Sequence, residues 1–314
     1  MIYSNQFIMS DYNKTNLREI TLLRSPMFIP GNRSEMLNKA LSINPDAFVP
    51  DLEDSVNIED KSTARKTIHK FLPELFSKNI PVIPRVNSIQ SGLLSEDLEA
   101  IIGPYISAIS IGKINSPDDI KYIDSAILEL ENQNRIHPGS TKIIPWIETS
   151  KSVLQAFEIC SSSQRIHSVA FGAEDFTEDM GIQRQEDESE VQFARNLTCI
   201  AAKAACINSL DSPYFKFKDS NGLSKNCSRA SNIGFTGKFA IHPSQIAQIN
   251  QSFSPSEESI EEAKTVLAAA KDASKNSHGT TSINGKLVDA PVIKRAKYLL
   301  DQAEIISKHK SGGY

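Results

Sequence analysis

The stretch "AFVPDLEDSV", Ala47–Val56, decides how this chain is read: a short apolar run ends abruptly in three carboxylates, Asp51, Glu53 and Asp54. An apolar run of that length, bounded by polar residues, suits a buried strand of a parallel sheet. The pattern recurs. "PMFI" (26–29), "IPVIPRV" (80–86), "ISAISI" (106–111), "KIIPWI" (142–147), "HSVAFG" (167–172), "YFKF" (214–217) and "KFAI" (238–241) bring the strand candidates to eight. Amphipathic helical patterns fall between them, over residues 34–41, 61–76, 117–130, 151–160, 188–208 and 222–230. Strict alternation implies parallel strands joined by helical crossovers, and eight such units predict an α/β chain folded as a (β/α)8 TIM barrel. An open doubly wound sheet would need a Gly-rich GxGxxG turn, and "PMFIPGNRS" (26–34) holds a single glycine. Beyond the eighth run, "SPSEESIEEAKTVLAAAKDASK" (254–275) predicts a long helix, followed by a polar loop and a last helix from Pro291 to about Lys308. The expected organisation is an N-terminal tail over 1–20, the barrel over 21–252 and a C-terminal helical segment over 253–314.

Composition narrows the function classes. With 314 residues, 39% of them hydrophobic, the chain can build a sizeable core. Its formal net charge of −4, with no Lys/Arg cluster interleaved with aromatics, argues against a nucleic-acid partner. The N-terminal "MIYSNQFIMSDYNKTNL" (1–17) has no basic region ahead of an apolar core. No apolar run approaches the roughly 20 residues of a membrane span. A cytoplasmic protein without a membrane partner is expected. Cys160, Cys199, Cys206 and Cys227 show no CxxC spacing, which predicts reduced, structural thiols.

In a barrel the residues just after each strand line one shared mouth. On the sequence reading that mouth collects Glu53 and Asp54, Arg85 and Asn87, Lys113, Glu148 and Thr149, Glu174 and Asp175, Asp219 and His242. Any one of these acids could serve as a helix cap or an ion-pair partner. Together, four acidic strand ends with few cations repel one another unless a divalent cation sits among them. Glu148 and Asp175 follow the strongly apolar "KIIPWIE" and "HSVAFGAED" on neighbouring strands and are the best ligand candidates. Two hard carboxylates completed by water or substrate oxygens suit Mg²⁺. Zinc is disfavoured because His and Cys do not converge, and His242 reads more simply as a turn or packing residue.

Several ordered segments carry a family resemblance: "LLRSPMFIPGNRSEMLNKAL", "DLEDSV", "PRVNS", "IET", "FGAEDFTEDMGIQR", "GFTGKFAIHPSQI" and "NGKLVDAPVIKRA". Over nearly the whole chain they resemble the citrate lyase β-subunit-like family, related to malyl-CoA and citramalyl-CoA lyases. The resemblance implies a barrel with a C-terminal lid, Mg²⁺-dependent making or breaking of a C–C bond in a 3-hydroxyacyl thioester, and a homo-oligomer, a trimer or a hexamer. It gives Glu148 and Asp175 the metal-ligand role and makes Arg85 the substrate arginine. Backbone N–H groups of Gly172, Ala173 and Glu174 would hold the carboxylate of a 2-oxo acid. Arg33 and Lys39 match coenzyme A phosphate contacts, although basic residues are common on helix surfaces. Asp289 of "GKLVDAPV" is similar to the lid aspartate that reaches a neighbouring subunit's site as acid or base; its place before Pro291 also suits a helix N-cap. Glu53 and Asp54 are expected behind the metal, holding its waters or Arg85. Asp51 is expected to point away by strand alternation, as a cap or ion pair.

The chain departs from the family pattern at Pro50, at Gly112 where a proline is usual, and at "SKSV" (150–153) after "IET". None of these removes a catalytic residue type; they bear on substrate choice. The expected activity is a Mg²⁺-dependent lyase that splits a citryl-, malyl- or citramalyl-CoA type thioester into an acyl-CoA and a 2-oxo acid. Two alternatives use the same mouth: an acyl-CoA thioesterase, and a citrate lyase complex subunit that meets its substrate only on an acyl-carrier protein.

Overall fold

The computed structural model describes residues 20–275, 281–283 and 286–310. Eight parallel strands follow one another around a barrel: β1 (Pro26–Pro30), β2 (Ala47–Asp51), β3 (Arg85–Val86), β4 (Ala108–Ile111), β5 (Lys142–Ile147), β6 (Ser168–Phe171), β7 (Asn208–Asp211) and β8 (Gly237–Lys238). Each pairs with its sequence neighbour. Backbone bonds from Lys238 N–H to Arg24 C=O (2.8 Å), Ala240 N–H to Pro26 C=O (2.8 Å) and Phe28 N–H to Ala240 C=O (2.9 Å) join the eighth segment to the first. The helices between them are α1 (Ser34–Ala40), α2 (Lys61–Phe76), α3 (Leu94–Ile101), α4 (Pro117–Gln133), α5 (Ser150–Leu154), α6 (Ala156–Cys160), α7 (Ala173–Asp179), α8 (Gln192–Ala204), α9 (Ser220–Ile233) and α10 (Ile246–Ser252).

Local sequence explains these elements. In α2, Ala64, Ile68, Leu72 and Leu75 recur at helical spacing and are buried. Helix α4 starts on a capping box, Ser116 with Asp119, and carries Pro117 in its first turn. The barrel interior is filled by Phe28, Ala47, Val49, Ile83, Ala108, Ile144, Trp146, Ala170, Leu210 and Phe239. Because Ala47 and Val49 face inward, strand alternation puts Asp51 inward too, not outward as expected from the sequence.

Three element assignments are corrected. The seventh strand is Asn208–Asp211 and not "YFKF", which lies in the following loop. The helical pattern of 188–208 is a 3-10 turn at Ser189–Val191 followed by α8, and it ends before Cys206, whose φ of 60° breaks it. The pattern of 151–160 is two helices meeting at Gln155, and α3 was not anticipated. Strand β3 is short because Pro81 and Pro84 lack the N–H that a ladder needs.

The chain divides into two compact units, 1–249 and 250–314. In the second, α11 (Glu257–Lys275) packs on α12 (Ala290–Lys310), and β9 (Thr281–Ile283) pairs antiparallel with β10 (Lys286–Val288). Most of the expected N-terminal tail, residues 1–19, and part of the polar loop, residues 276–280 and 284–285, lie outside the described residues. Cys160, Cys199 and Cys227 are buried free thiols and Cys206 is exposed. Among the described residues no helix is long and apolar enough to cross a membrane.

Candidate active site

The C-terminal ends of the strands open on a cavity of about 340 Å³. Arg85, Asp51, Asp54, Glu148, Gly172, Ala173, Glu174 and Asp175 all line it, so Asp54, Glu148, Glu174, Asp175 and Arg85 come together as expected, joined by Asp51, while Glu53 and Asp219 are not among the lining residues. Phe28, Trp146, Phe215 and Ile241 supply its apolar walls.

Glu148 directly follows β5 and is only 4% exposed. Its carboxylate lies between two glycines. A Cβ on Gly112 would stand 2.6 Å from Oε1, and one on Gly172 would overlap the same side chain. Glycine at 112 therefore makes room for the carboxylate. The Lys113 amide donates to Oε1 at 2.5 Å, in a backbone turned left-handed at Lys113, φ 57°. Burial, then the charges of Asp175 and Glu53, push the Glu148 carboxyl up to about 8. Asp175 sits in the first turn of α7, half-buried, with Lys113 Nζ 3.7 Å away. Burial and then Asp54 raise its pKa, against the pull of Lys113.

Opposite stands Arg85. Asp51 grips it with two bonds, Nε to Oδ1 and Nη2 to Oδ2, both 2.7 Å. Nη1 reaches Glu53 Oε2 at 2.8 Å and Asp54 Oδ2 at 3.0 Å. The guanidinium carbon lies 4.5 Å from the centre of the Phe28 ring. Burial alone would raise the Asp51 carboxyl, but the charge and hydrogen bonds of Arg85 hold it below its usual range. Glu53 has no such grip: burial outweighs Arg85, and Asp54 and Asp51 add repulsion, pushing it to about 7. The acids of "DLEDSV" thus hold the arginine.

Other expected residues are placed differently. Gly172 N–H donates to Ile147 C=O at 3.1 Å and Ala173 N–H to Ser212 Oγ at 3.0 Å, so both amides are already engaged. The Glu174 amide, in the first turn of α7, has no intrahelical acceptor. Its side chain takes Arg184 at 3.0 Å. Arg33 and Lys39 are exposed at the start and in the last turn of α1, and neither lines the cavity. Asp219 caps α9 through Gly222 N–H at 2.8 Å and does not end a strand. His242 stacks on Phe217, ring centres 4.9 Å apart, and caps a 3-10 turn. In the second unit Asp289 accepts Val292 N–H at 3.2 Å and caps α12.

Sequence reading missed a buried cluster at strands β7 and β8. Asp211 Oδ2 takes Arg195 Nη2 at 2.8 Å and Lys238 Nζ at 2.5 Å, all three residues being nearly inaccessible. Lys238 Nζ also donates to Ser212 C=O. "NSLDS" (208–212) carried the signal, a charge inside a strand, and the misplaced seventh strand hid it.

Among the described residues no three His, Cys, Asp or Glu side chains gather closely enough to form a cation site by themselves. Glu148 and Asp175 offer two hard oxygen donors that burial and mutual repulsion leave short of positive charge, which fits a divalent cation completed by water or substrate oxygens.

The HpcH/HpaI aldolase/citrate lyase family model matches residues 24–243. Citrate lyase subunit beta of Haemophilus influenzae is 34% identical over 90% of this chain and 97% of its own. Human mitochondrial citramalyl-CoA lyase is 30% identical over 95% of this chain and 90% of its own. Among solved structures, CitE of Mycobacterium tuberculosis in complex with magnesium, acetoacetate and coenzyme A superposes with a TM-score of 0.75 at 26% identity, covering 91% of this chain and 100% of that one. A mouth of paired carboxylates facing one arginine, a family match across the barrel and full-length relatives lead to one conclusion: the chain belongs to the HpcH/HpaI aldolase/citrate lyase family of carbon–carbon lyases.

Proposed function

We propose that this protein is a Mg²⁺-dependent lyase that cleaves a 3-hydroxyacyl-CoA thioester of the citryl, malyl or citramalyl type into an acyl-CoA and a 2-oxo acid. The observation that carries the reading is the pair Glu148 and Asp175 facing Arg85 across one partly apolar cavity. Mg²⁺ held by Glu148 and Asp175 would supply Lewis-acid polarisation of the oxo acid's oxygens. The chain's own groups do the rest. Asp51 fixes the guanidinium plane, so Arg85 presents donors where negative charge develops on the thioester oxygen. Asp54, the exposed partner of Arg85, is the acid a substrate oxygen displaces most easily. Phe28, Trp146 and Phe215 exclude water from the bond that breaks.

Incubating the purified protein with citryl-, malyl- and citramalyl-CoA, with and without Mg²⁺, tests the proposal. The expected products are an acyl-CoA and a 2-oxo acid, with turnover lost in EDTA. Release of free CoA with no oxo acid would identify a thioesterase instead. Turnover only of an acyl-carrier-protein thioester would make the chain a subunit of a citrate lyase complex. Relatives named citrate lyase subunit beta and citramalyl-CoA lyase match this chain at 34% and 30% identity.

The lid role of Asp289 belongs to the same reading: a carboxylate delivered to the mouth of a neighbouring subunit in a trimer or hexamer. Asp289→Ala is expected to lower kcat by roughly 10²- to 10⁴-fold without changing Mg²⁺ affinity. Mixing it with Glu148→Gln chains under subunit exchange should restore activity. A residue that only caps α12 would cost about 1 kcal/mol of stability and leave kcat unchanged. Arg33 and Lys39, exposed on α1, stand as phosphate contacts for the CoA moiety.

A further inference from the structure

Ser212 follows β7 and is 8% exposed, and its hydroxyl bridges two backbone groups, one at the end of β6 and one at the start of α7. Oγ donates to Phe171 C=O at 2.7 Å and accepts from Ala173 N–H at 3.0 Å. Those two groups lie on either side of Gly172. That glycine packs against the Glu148 carboxylate so closely that a Cβ there would overlap it. The chain then enters α7, whose first turn carries Asp175. One hydroxyl therefore fixes the peptide that backs one acid and launches the other.

Ser212 is in turn anchored from behind. Its carbonyl accepts Lys238 Nζ at 2.5 Å, and the same ammonium holds Asp211 Oδ2, which Arg195 also grips. Lys238 and Asp211 are each 1% exposed and Arg195 is 2% exposed, so this anchor is dry and rigid.

We propose that Ser212 is a positioning residue for the metal-binding pair, a clamp across the β6–α7 junction that sets the separation of Glu148 and Asp175, with Lys238 and Asp211 holding the clamp in register. The clamp rests on the magnesium reading above. Small displacements matter here because Mg²⁺ tolerates little deviation from octahedral geometry. Groups that orient metal ligands typically govern affinity by about 10- to 100-fold.

The test is calorimetric titration of Mg²⁺ into substrate-free protein, together with melting temperature in EDTA. Four variants are compared: Ser212→Ala, Ser212→Thr, Glu148→Gln, and Ser25→Ala at the far end of the barrel, where Ser25 Oγ accepts Asp46 N–H. The expected result is a Kd for Mg²⁺ raised about 10-fold in Ser212→Ala and within about twofold of wild type in Ser212→Thr, which keeps the hydroxyl. Ser25→Ala should lower the melting temperature without moving Kd. If Ser212→Ala binds Mg²⁺ as tightly as wild type while Glu148→Gln does not, the clamp is wrong and the metal site stands. If Glu148→Gln binds normally, both readings fall. Equal weakening in Ser212→Thr and Ser212→Ala would also overturn the clamp, because volume and not the hydroxyl would then be responsible.

Discussion

Two acids, both almost fully buried, lie in this barrel under opposite electrostatic conditions. Glu148, 4% exposed at the end of β5, is pushed up to about 8 by burial and by Asp175 and Glu53. Asp211, 1% exposed at the end of β7, also suffers burial, yet Lys238 and Arg195 hold its carboxyl below the usual range. Removing a carboxylate from water is costly in both places. On the β7 side two cations from the chain repay that cost. On the β5 side the chain offers one half-exposed ammonium, Lys113, and an arginine that Asp51 already occupies. Burial therefore does not separate a structural acid from a functional one; the surplus of negative charge over built-in cations does.

The largest effect that sharpens this contrast is expected from Glu148→Gln. Losing one of two charged ligands should abolish Mg²⁺ binding in calorimetry and cut turnover by about 10⁴-fold or more. Melting temperature in EDTA should hold or rise, because an amide that never ionises replaces a buried carboxyl whose ionisation burial and its acidic neighbours resist. A clear fall in that melting temperature would show that Glu148 is paired as Asp211 is, and would break the comparison.

Lys238→Met is the mirror experiment and ranks second. It strands Asp211 with one partner in a dry site, and the expected loss is about 3–5 kcal/mol of unfolding free energy in urea. Adding Asp211→Asn should recover more than half of that loss, since the buried charge goes with its partner. A Lys238→Met protein as stable as wild type would mean that Arg195 alone suffices.

The same contrast explains what was legible in the sequence. The β5 and β6 ends announced themselves because "KIIPWIE" and "HSVAFGAED" place acids after unbroken apolar runs, so Glu148, Asp175 and the barrel order could be read directly. β7 could not. Its four residues, "NSLD", contain one large apolar side chain, and the buried charge of Asp211 is compensated by residues 16 positions earlier and 27 later. Rules that look for apolar runs passed over it and chose "YFKF", where Phe215 and Phe217 are exposed. Asp51 failed for a related reason. Its inward direction follows from alternation counted from the core residues Ala47 and Val49, which only the closed barrel identifies. The grip of Asp51 on Arg85 spans 34 positions and leaves no local trace. Lid function at Asp289 rests on motif likeness alone, because its local geometry is that of a helix cap.

The smallest expected effect is a pH dependence, and its sign distinguishes the two acids. Without divalent cation, Glu148 in the unfolded chain loses its proton near the ordinary 4.5, whereas the folded protein keeps it until about 8. Between those values the folded state binds more protons, so stability falls as pH rises. Asp211 and Asp51 have lowered pKa values and act in the other sense, but only as pH drops toward and below the ordinary 3.8, outside this window. Melting in EDTA should therefore occur about 4–8 °C lower at pH 8 than at pH 6, the size of a change of about 2 kcal/mol in a chain of this class. Excess Mg²⁺ should reverse the slope, because the cation binds the deprotonated pair and competes with protons. Glu148→Gln should reduce the slope of both profiles, leaving the share of Glu53, which burial pushes to about 7, and Lys238→Met should shift them without changing their slope. A wild-type protein whose melting temperature in EDTA is constant or rises from pH 6 to pH 8 would show that Glu148 is already ionised without metal, and would remove the electrostatic vacancy on which the contrast with Asp211 rests.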